Sequence, residues 1–444
     1  MPLNRLALCL LLALASILTL SPRGSGQSQP PVLKADVRQV LVPVVVTDKK
    51  GHHILGLKAT DFEVSEDGTP QKIIAFSTSA ESVATTAPAP NFVAPATSHA
   101  TSTLNTAPPT PKRTYLVCVD TMHSAFSNFA RVSDALKKFF SQEQGEDSQY
   151  ALVALGRKVH VVADSTRDPA KILEAVQSKQ FQKTVQDSEA INMVRDAQNF
   201  RNQMKDDYCR HCACEAFGTR ADGPGCAGAA GRVQGTLLGV GQRTEFLDQD
   251  FLGGLNELVK ATASMPTMRT IILISDGFNR FPGRELYAIM DGFGPSTNRM
   301  IQFNPADNEP PLQSVLKLAV QYNVRFYTID SRGLYAAASL GSSSFDASNG
   351  AAIPERVDQN QMTAAHENTD ALYQLAHETG GTFFENDNDL LKGIQRGFAD
   401  SREYYLLAYS PTNKTTDGTF RKIAVEVKGR KLLVNAKAGY WATN

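Results

Sequence analysis

Residues 115–128 read YLVCVDTMHSAFSN, an apolar run followed by the start of an amphipathic one. Tyr115 to Val119 is a continuous apolar run, as a strand buried on both faces requires, and Phe129, Val132, Leu136 and Phe139 then recur at helical spacing. A strand followed at once by an amphipathic helix is one β-then-α unit, and the pattern repeats outward along the chain. Strands are predicted at Tyr150 to Leu155, Lys158 to Ala163, Thr270 to Ser275, Arg325 to Ile329 and Thr382 to Glu385. Helices are predicted near Pro169 to Gln177 and through Phe251, Leu255, Leu258 and Thr262. Others pass through Leu312, Val315, Leu316 and Ala319, through Leu372, Leu375 and Ala376, and through Leu391, Ile394 and Phe398. Gly380 and Gly381 stop the helix before them. Such alternation predicts an α/β domain over 113–401, a doubly wound, mostly parallel sheet with helices on both faces.

Two segments interrupt the alternation, 185–243 with a cysteine cluster and the low-complexity stretch 335–367, and both are expected outside the sheet. The flanks have a different period. Residues 33–78 alternate β-branched and polar side chains around Lys50-Gly51 and Asp67-Gly68, and 402–444 carry three further strand-like runs. Each flank alone is too small for independent stability, so the two are expected to build one small β domain together. Between the N-terminal flank and the central domain, 79–112 is a Ser/Thr/Ala/Pro linker with too little apolar surface to order itself. At the start, Arg5 precedes the fifteen-residue apolar run Leu6 to Leu20, too short to span a bilayer easily, and 1–27 reads as a secretory signal peptide. The mature chain is thus expected to be exported (periplasmic, envelope-associated or extracellular) with no membrane span.

Lys plus Arg and Asp plus Glu both number 45, so no summed field draws in nucleic acid or anionic lipid. Four of the six cysteines, Cys209, Cys212, Cys214 and Cys226, cluster in YCRHCACEAFGTRADGPGC. A four-thiolate zinc site fits that spacing, but in an exported chain two disulfides are the better reading, with three connectivities open. Cys118, within a strand, is expected to pack as a small buried hydrophobe.

In an open parallel sheet, ligands bind beyond the carboxyl ends of the strands, where Asp120 and Asp276 stand. Two carboxylates there, with the Ser124 hydroxyl, supply hard-cation ligands. The same residues also serve as helix-cap and turn formers, and spacing leaves the two readings level. Asp120, Thr121, Met122, His123, Ser124 resembles the D-x-S-x-S metal-ion-dependent adhesion motif of von Willebrand factor type A domains. Met122 stands where the first Ser belongs, ILISDG around Asp276 resembles the family's later Asp-Gly motif, and Thr244 takes the place of its loop Thr. The resemblance implies a degenerate site of Asp120, Ser124, Asp276 and Thr244 that holds Mg²⁺, or Mn²⁺ or Ca²⁺, weakly.

The resemblance is to the VWFA-related domain proteins described from acidobacteria, and extends through VVVTDKKGHHILGLKATDFEVSEDGTPQKI, VRFYTIDSRGL, LAHETGGTFFENDNDL, YYLLAYSPTN and AGYWA. It implies protein–protein interaction or adhesion with a protein partner. A structural envelope component without a working metal site is the alternative, and a cation-assisted hydrolase a third. No catalytic motif favours the hydrolase. His377-Glu378 and His366-Glu367 begin like a zinc-protease motif, but Gly381 and Asp370 fill the second His position. Neither a G-x-S-x-G elbow nor a phosphate loop is present. The chain is therefore expected not to be an enzyme.

Overall fold

The computed structural model describes residues 39–79, 113–145, 147–184, 189–212, 214, 225–263, 265, 268–278, 280–293, 307–334 and 369–443. The expected signal peptide, nearly all of the expected linker, the 335–367 insertion and His366-Glu367 lie outside them.

Strands β1 (Val40–Thr47), β2 (Phe62–Glu66), β3 (Thr69–Gln71) and β4 (Ile73–Thr78) come from the N-terminal flank. The central sheet is built from β5 (Arg113–Asp120), β6 (Ser148–Leu155), β7 (Val159–Thr166), β8 (Met268–Ser275), β9 (Val324–Asp330) and β10 (Phe383–Phe384). The C-terminal flank gives β11 (Tyr405–Tyr409), β12 (Phe420–Val427), β13 (Leu433–Ala436) and β14 (Gly439–Trp441).

The central order is β10-β9-β8-β5-β6-β7, with every pairing parallel except β6 with β7. Only residues 156–158 join those two strands, far short of the crossover that a parallel return needs, so β7 turns back as an antiparallel edge. Side chains of β5 alternate between two cores. Tyr115, Val117 and Val119 pack with Phe129, Leu136, Ile172, Ile394 and Phe398 on one face, while Leu116 and Cys118 pack with Phe251, Leu255, Leu316 and Leu372 on the other. The first layer holds helices Phe126–Gln142, Pro169–Gln177 and Leu390–Arg402, and the second holds Cys226–Ala263, Glu309–Gln321 and 369–379. Both faces of the central strands β5 and β9 are thus dry, as the uninterrupted apolar runs predict, while the edge strand β7 is partly exposed.

The insertion carries the two disulfides expected of it. Its cysteines pair as Cys209–Cys214 and Cys212–Cys226. They lie in an apolar core of their own, with Phe200, Met204, Tyr208, Val233, Leu237 and Met290. Residues 226–243 are helical, part of the single 38-residue helix Cys226–Ala263. Ala229, Ala230, Val233 and Leu237 recur on its buried face, and a side chain added at Gly231, Gly235 or Gly239 would meet nothing within 4 Å. The apolar period therefore outweighs a glycine cost of about 1 kcal/mol each. No helix of the described residues is long and apolar enough to cross a membrane.

The flanks interleave in two four-stranded sheets, β13-β1-β11-β4 and β14-β12-β2-β3. The last of the three C-terminal runs, residues 432–441, splits into β13 and β14, one for each sheet. Gly439 opens β14 where a Cβ would stand 2.2 Å from the Arg421 carbonyl oxygen, so only glycine lets the chain pass. Glu66, buried on β2, accepts the hydroxyls of Tyr409 at 2.7 Å and Tyr440 at 3.0 Å, tying N-terminal to C-terminal strands.

Candidate functional site

Asp120 ends β5, and Asp276 follows Ser275 at the end of the neighbouring β8, so both acidic residues stand at one sheet edge. Asp120 is fully buried. Its Oδ1 accepts the backbone N–H groups of Met122 at 2.8 Å and His123 at 3.0 Å, folding the chain after β5 into a tight turn. Its Oδ2 accepts the Ser275 hydroxyl at 2.6 Å and His123 Nδ1–H at 2.9 Å. A carboxylate offers about four lone-pair sites, and these four donors fill them.

The other imidazole nitrogen, Nε2, lies 2.9 Å from Oδ1 of Asp248, whose Oδ2 accepts the Asn308 amide at 2.6 Å. Carboxylates only accept, so an imidazole held between two of them carries a proton on each nitrogen. Phe251 packs edge-on to the ring at 4.8 Å, Phe278 lies 5.8 Å away, and both are buried. Burial alone would lower the pKa of His123. The charge and hydrogen bond of Asp120, joined by those of Asp248, outweigh burial and raise it to about 10.

Because the folded pKa lies above the ordinary 6.5, the stability this group contributes is complete below about 6.5 and declines as pH rises, until it is lost above about 10. Between pH 6 and pH 10 the wild type is expected to lose roughly 2 to 4 kcal/mol more than His123→Gln. Urea unfolding of both proteins across that range measures the difference, and parallel pH profiles would refute it.

Asp276 has a different task. Its Oδ2 accepts Ala125 N–H at 2.9 Å and the Asn128 amide at 2.8 Å, anchoring the start of helix Phe126–Gln142, and Oδ1 accepts the Ser331 hydroxyl. Desolvation raises its pKa, against the lowering effect of these bonds. The side chain of Met122, 1% exposed, packs in the sheet's second core, and Ser124 is also buried. Thr244 lies within helix Cys226–Ala263 and not in a loop, one turn before Asp248.

These donors do not fit a divalent cation. Oxygen ligands for Mg²⁺ or Ca²⁺ must point lone pairs at the ion, and vacant positions must be filled by water. Here the lone pairs of Asp120 are taken, and the ring of His123 stands between Asp120 and Asp248 behind two phenyl walls. Among the described residues no group of three or more His, Cys, Asp or Glu is arranged to hold a metal. Of the set Asp120, Ser124, Asp276 and Thr244 expected from sequence, the first three stand at one edge, where the two carboxylates accept hydrogen bonds from the protein's own donors. His123 and Asp248 are the residues that sequence reasoning missed. Asp248 was detectable as an acidic residue on an otherwise apolar helical face with Thr244, Phe251 and Leu255, where burial demands a partner.

A mostly parallel sheet covered by helices on both faces, with an acidic and hydroxyl-bearing turn after its first central strand, defines a doubly wound α/β domain. The chain carries a von Willebrand factor type A domain: residues 115–209 match the sequence model of that family, from β5 through the first clustered cysteine. No curated protein matches. Among solved structures, the chain is similar to proximal thread matrix protein 1 from the mussel byssus (11% identity over 68% of this chain and 49% of that one, TM-score 0.29). It is also similar to BatB from Bacteroides thetaiotaomicron (9%, 65% and 98%, TM-score 0.28). A third is the vWF domain of the type V pili tip protein Mfa5 from Porphyromonas gingivalis (12%, 65% and 94%, TM-score 0.27). The chain thus spans about half the length of the mussel protein and nearly all of the other two. Likeness at this level carries no functional argument.

Proposed function

We propose that this is an exported, non-catalytic protein that binds another protein through the carboxyl edge of its central sheet. One observation carries the location. Phe126, Phe281 and Leu334 follow β5, β8 and β9, three adjacent parallel strands, and are 57%, 38% and 59% exposed. Large apolar side chains standing in water after neighbouring strands form the kind of surface that a protein partner dehydrates. Arg131 supports the rim from below, donating to the Arg332 carbonyl at 2.8 Å and reaching Asn388. Two disulfides and a von Willebrand type A domain agree with an oxidising compartment and an interaction role.

The test is capture from the native envelope on the immobilised full chain, with and without chelator, and with Phe126→Ser/Leu334→Ser. The wild type is expected to retain a partner in chelator. The double variant, with unchanged melting temperature, should hold it at least about tenfold more weakly, as loss of interface anchors does. Equal capture by both proteins would place the contact elsewhere.

A further inference from the structure

We propose that the side chain of His123 is the resident cation of this domain's adhesion-motif site, occupying the position between acidic groups that a divalent ion would otherwise fill. The motif after β5 calls for a metal ion, and the donors found there are already paired within the protein.

A cation site needs convergent anionic oxygens, and this edge has them in Asp120 and Asp248, contributed by a strand end and by the helix packed across it. Their facing oxygens converge on the two imidazole nitrogens at 2.9 Å each. One planar ring therefore bridges two carboxylates that would otherwise repel each other in a dry site. The remaining Asp120 oxygen sites are closed by Ser275 and by backbone N–H groups, and the second Asp248 oxygen by Asn308. Met122 fits the same arrangement. A Ser at that position serves an ion, whereas here the side chain fills the apolar core beneath the turn. Phe251 and Phe278 enclose the ring, which leaves no place for the waters that complete a Mg²⁺ shell. An ion must evict the ring to enter.

Titration calorimetry of the full chain with Mg²⁺ and Mn²⁺ tests this. Wild type and Met122→Ser are both expected to show no saturable binding up to about 10 mM, because restoring one hydroxyl does not remove the ring. His123→Ala leaves two carboxylates facing each other. It should bind Mn²⁺ at least about tenfold more tightly than the wild-type limit, with a rise in melting temperature on adding the ion. Should His123→Ala fail to fold, nitrogen NMR of wild type decides. Both His123 ring nitrogens should carry protons and keep their shifts in 10 mM Mg²⁺, on the order of the free ion that weak sites need. Saturable binding by wild type, a folded His123→Ala that takes up no Mn²⁺, or release of the imidazole by Mg²⁺ would each overturn the proposal.

Discussion

Asp120→Ala is expected to destabilise the full chain by about 3 to 5 kcal/mol, the usual result of removing one partner from a buried ion pair. The variant strands His123 with half of its counter-charge, and deprives Ser275 Oγ and the N–H groups of Met122 and His123 of their acceptor. Each orphaned buried donor adds a cost of about 1 to 3 kcal/mol, reduced by whatever relaxation or water entry follows. Asp120→Asn should fall between the variant and wild type, since its amide retains one acceptor oxygen but turns donors toward the imidazole. Chemical denaturation at neutral pH gives the comparison. A loss below about 1 kcal/mol for Asp120→Ala would mean that water already reaches the cluster, and would undercut the dry site described above.

The second large effect lies away from the site, at Gly381. A Cβ there would stand 1.8 Å from the Phe326 carbonyl oxygen and 2.7 Å from its carbon, both backbone atoms of β9. No side-chain rotation relieves such a contact, so the chain entering β10 would have to leave the strand it pairs with. Gly381→Ala is expected to cost about 3 kcal/mol or more, or to prevent folding, at the upper end of single-residue effects. Gly239→Ala is the control. It lies in helix Cys226–Ala263 with nothing within 4 Å of its added Cβ, and should stabilise by roughly 0.5 to 1 kcal/mol. If both substitutions prove neutral in thermal unfolding, the close passage of 381 over β9 is wrong.

The elements with strong periods were legible in the sequence. Tyr115 to Val119, Thr270 to Ser275 and Arg325 to Ile329 are parallel neighbours, because runs that are apolar on both faces fit little else than a covered parallel sheet. The union of the two flanks was legible from size alone, since neither could stand by itself. Their division into two sheets was not, because it depends on a chain crossing at Gly439 that leaves no local pattern. The helix through 226–243 was hidden by its glycines, whose individual propensities point away from the buried stripe that wins. At the site, Asp120 and Asp276 were legible as acidic residues after neighbouring parallel strands, although spacing left a ligand role and a cap or turn role level. His123 was invisible, since it occupies a variable position of the motif and its second carboxylate lies far along the chain on another element.

The interleaving of the two flanks sets a clock on synthesis. β1 pairs residue 40 with residue 409, and Val44 to Thr47 pair with β13 later still. At about 5 to 20 residues per second, β1 waits on the order of 20 to 70 seconds between leaving the ribosome and meeting β11. Throughout that interval VLVPVVVT is a β-branched segment without its native partners, and Pro43, which has no N–H to donate, interrupts any ladder it could form with another copy. The β layers therefore close last, after the central sheet has brought residue 402 back beside them, and a chain interrupted before residue 405 leaves its β1 unpaired however well its central sheet has folded.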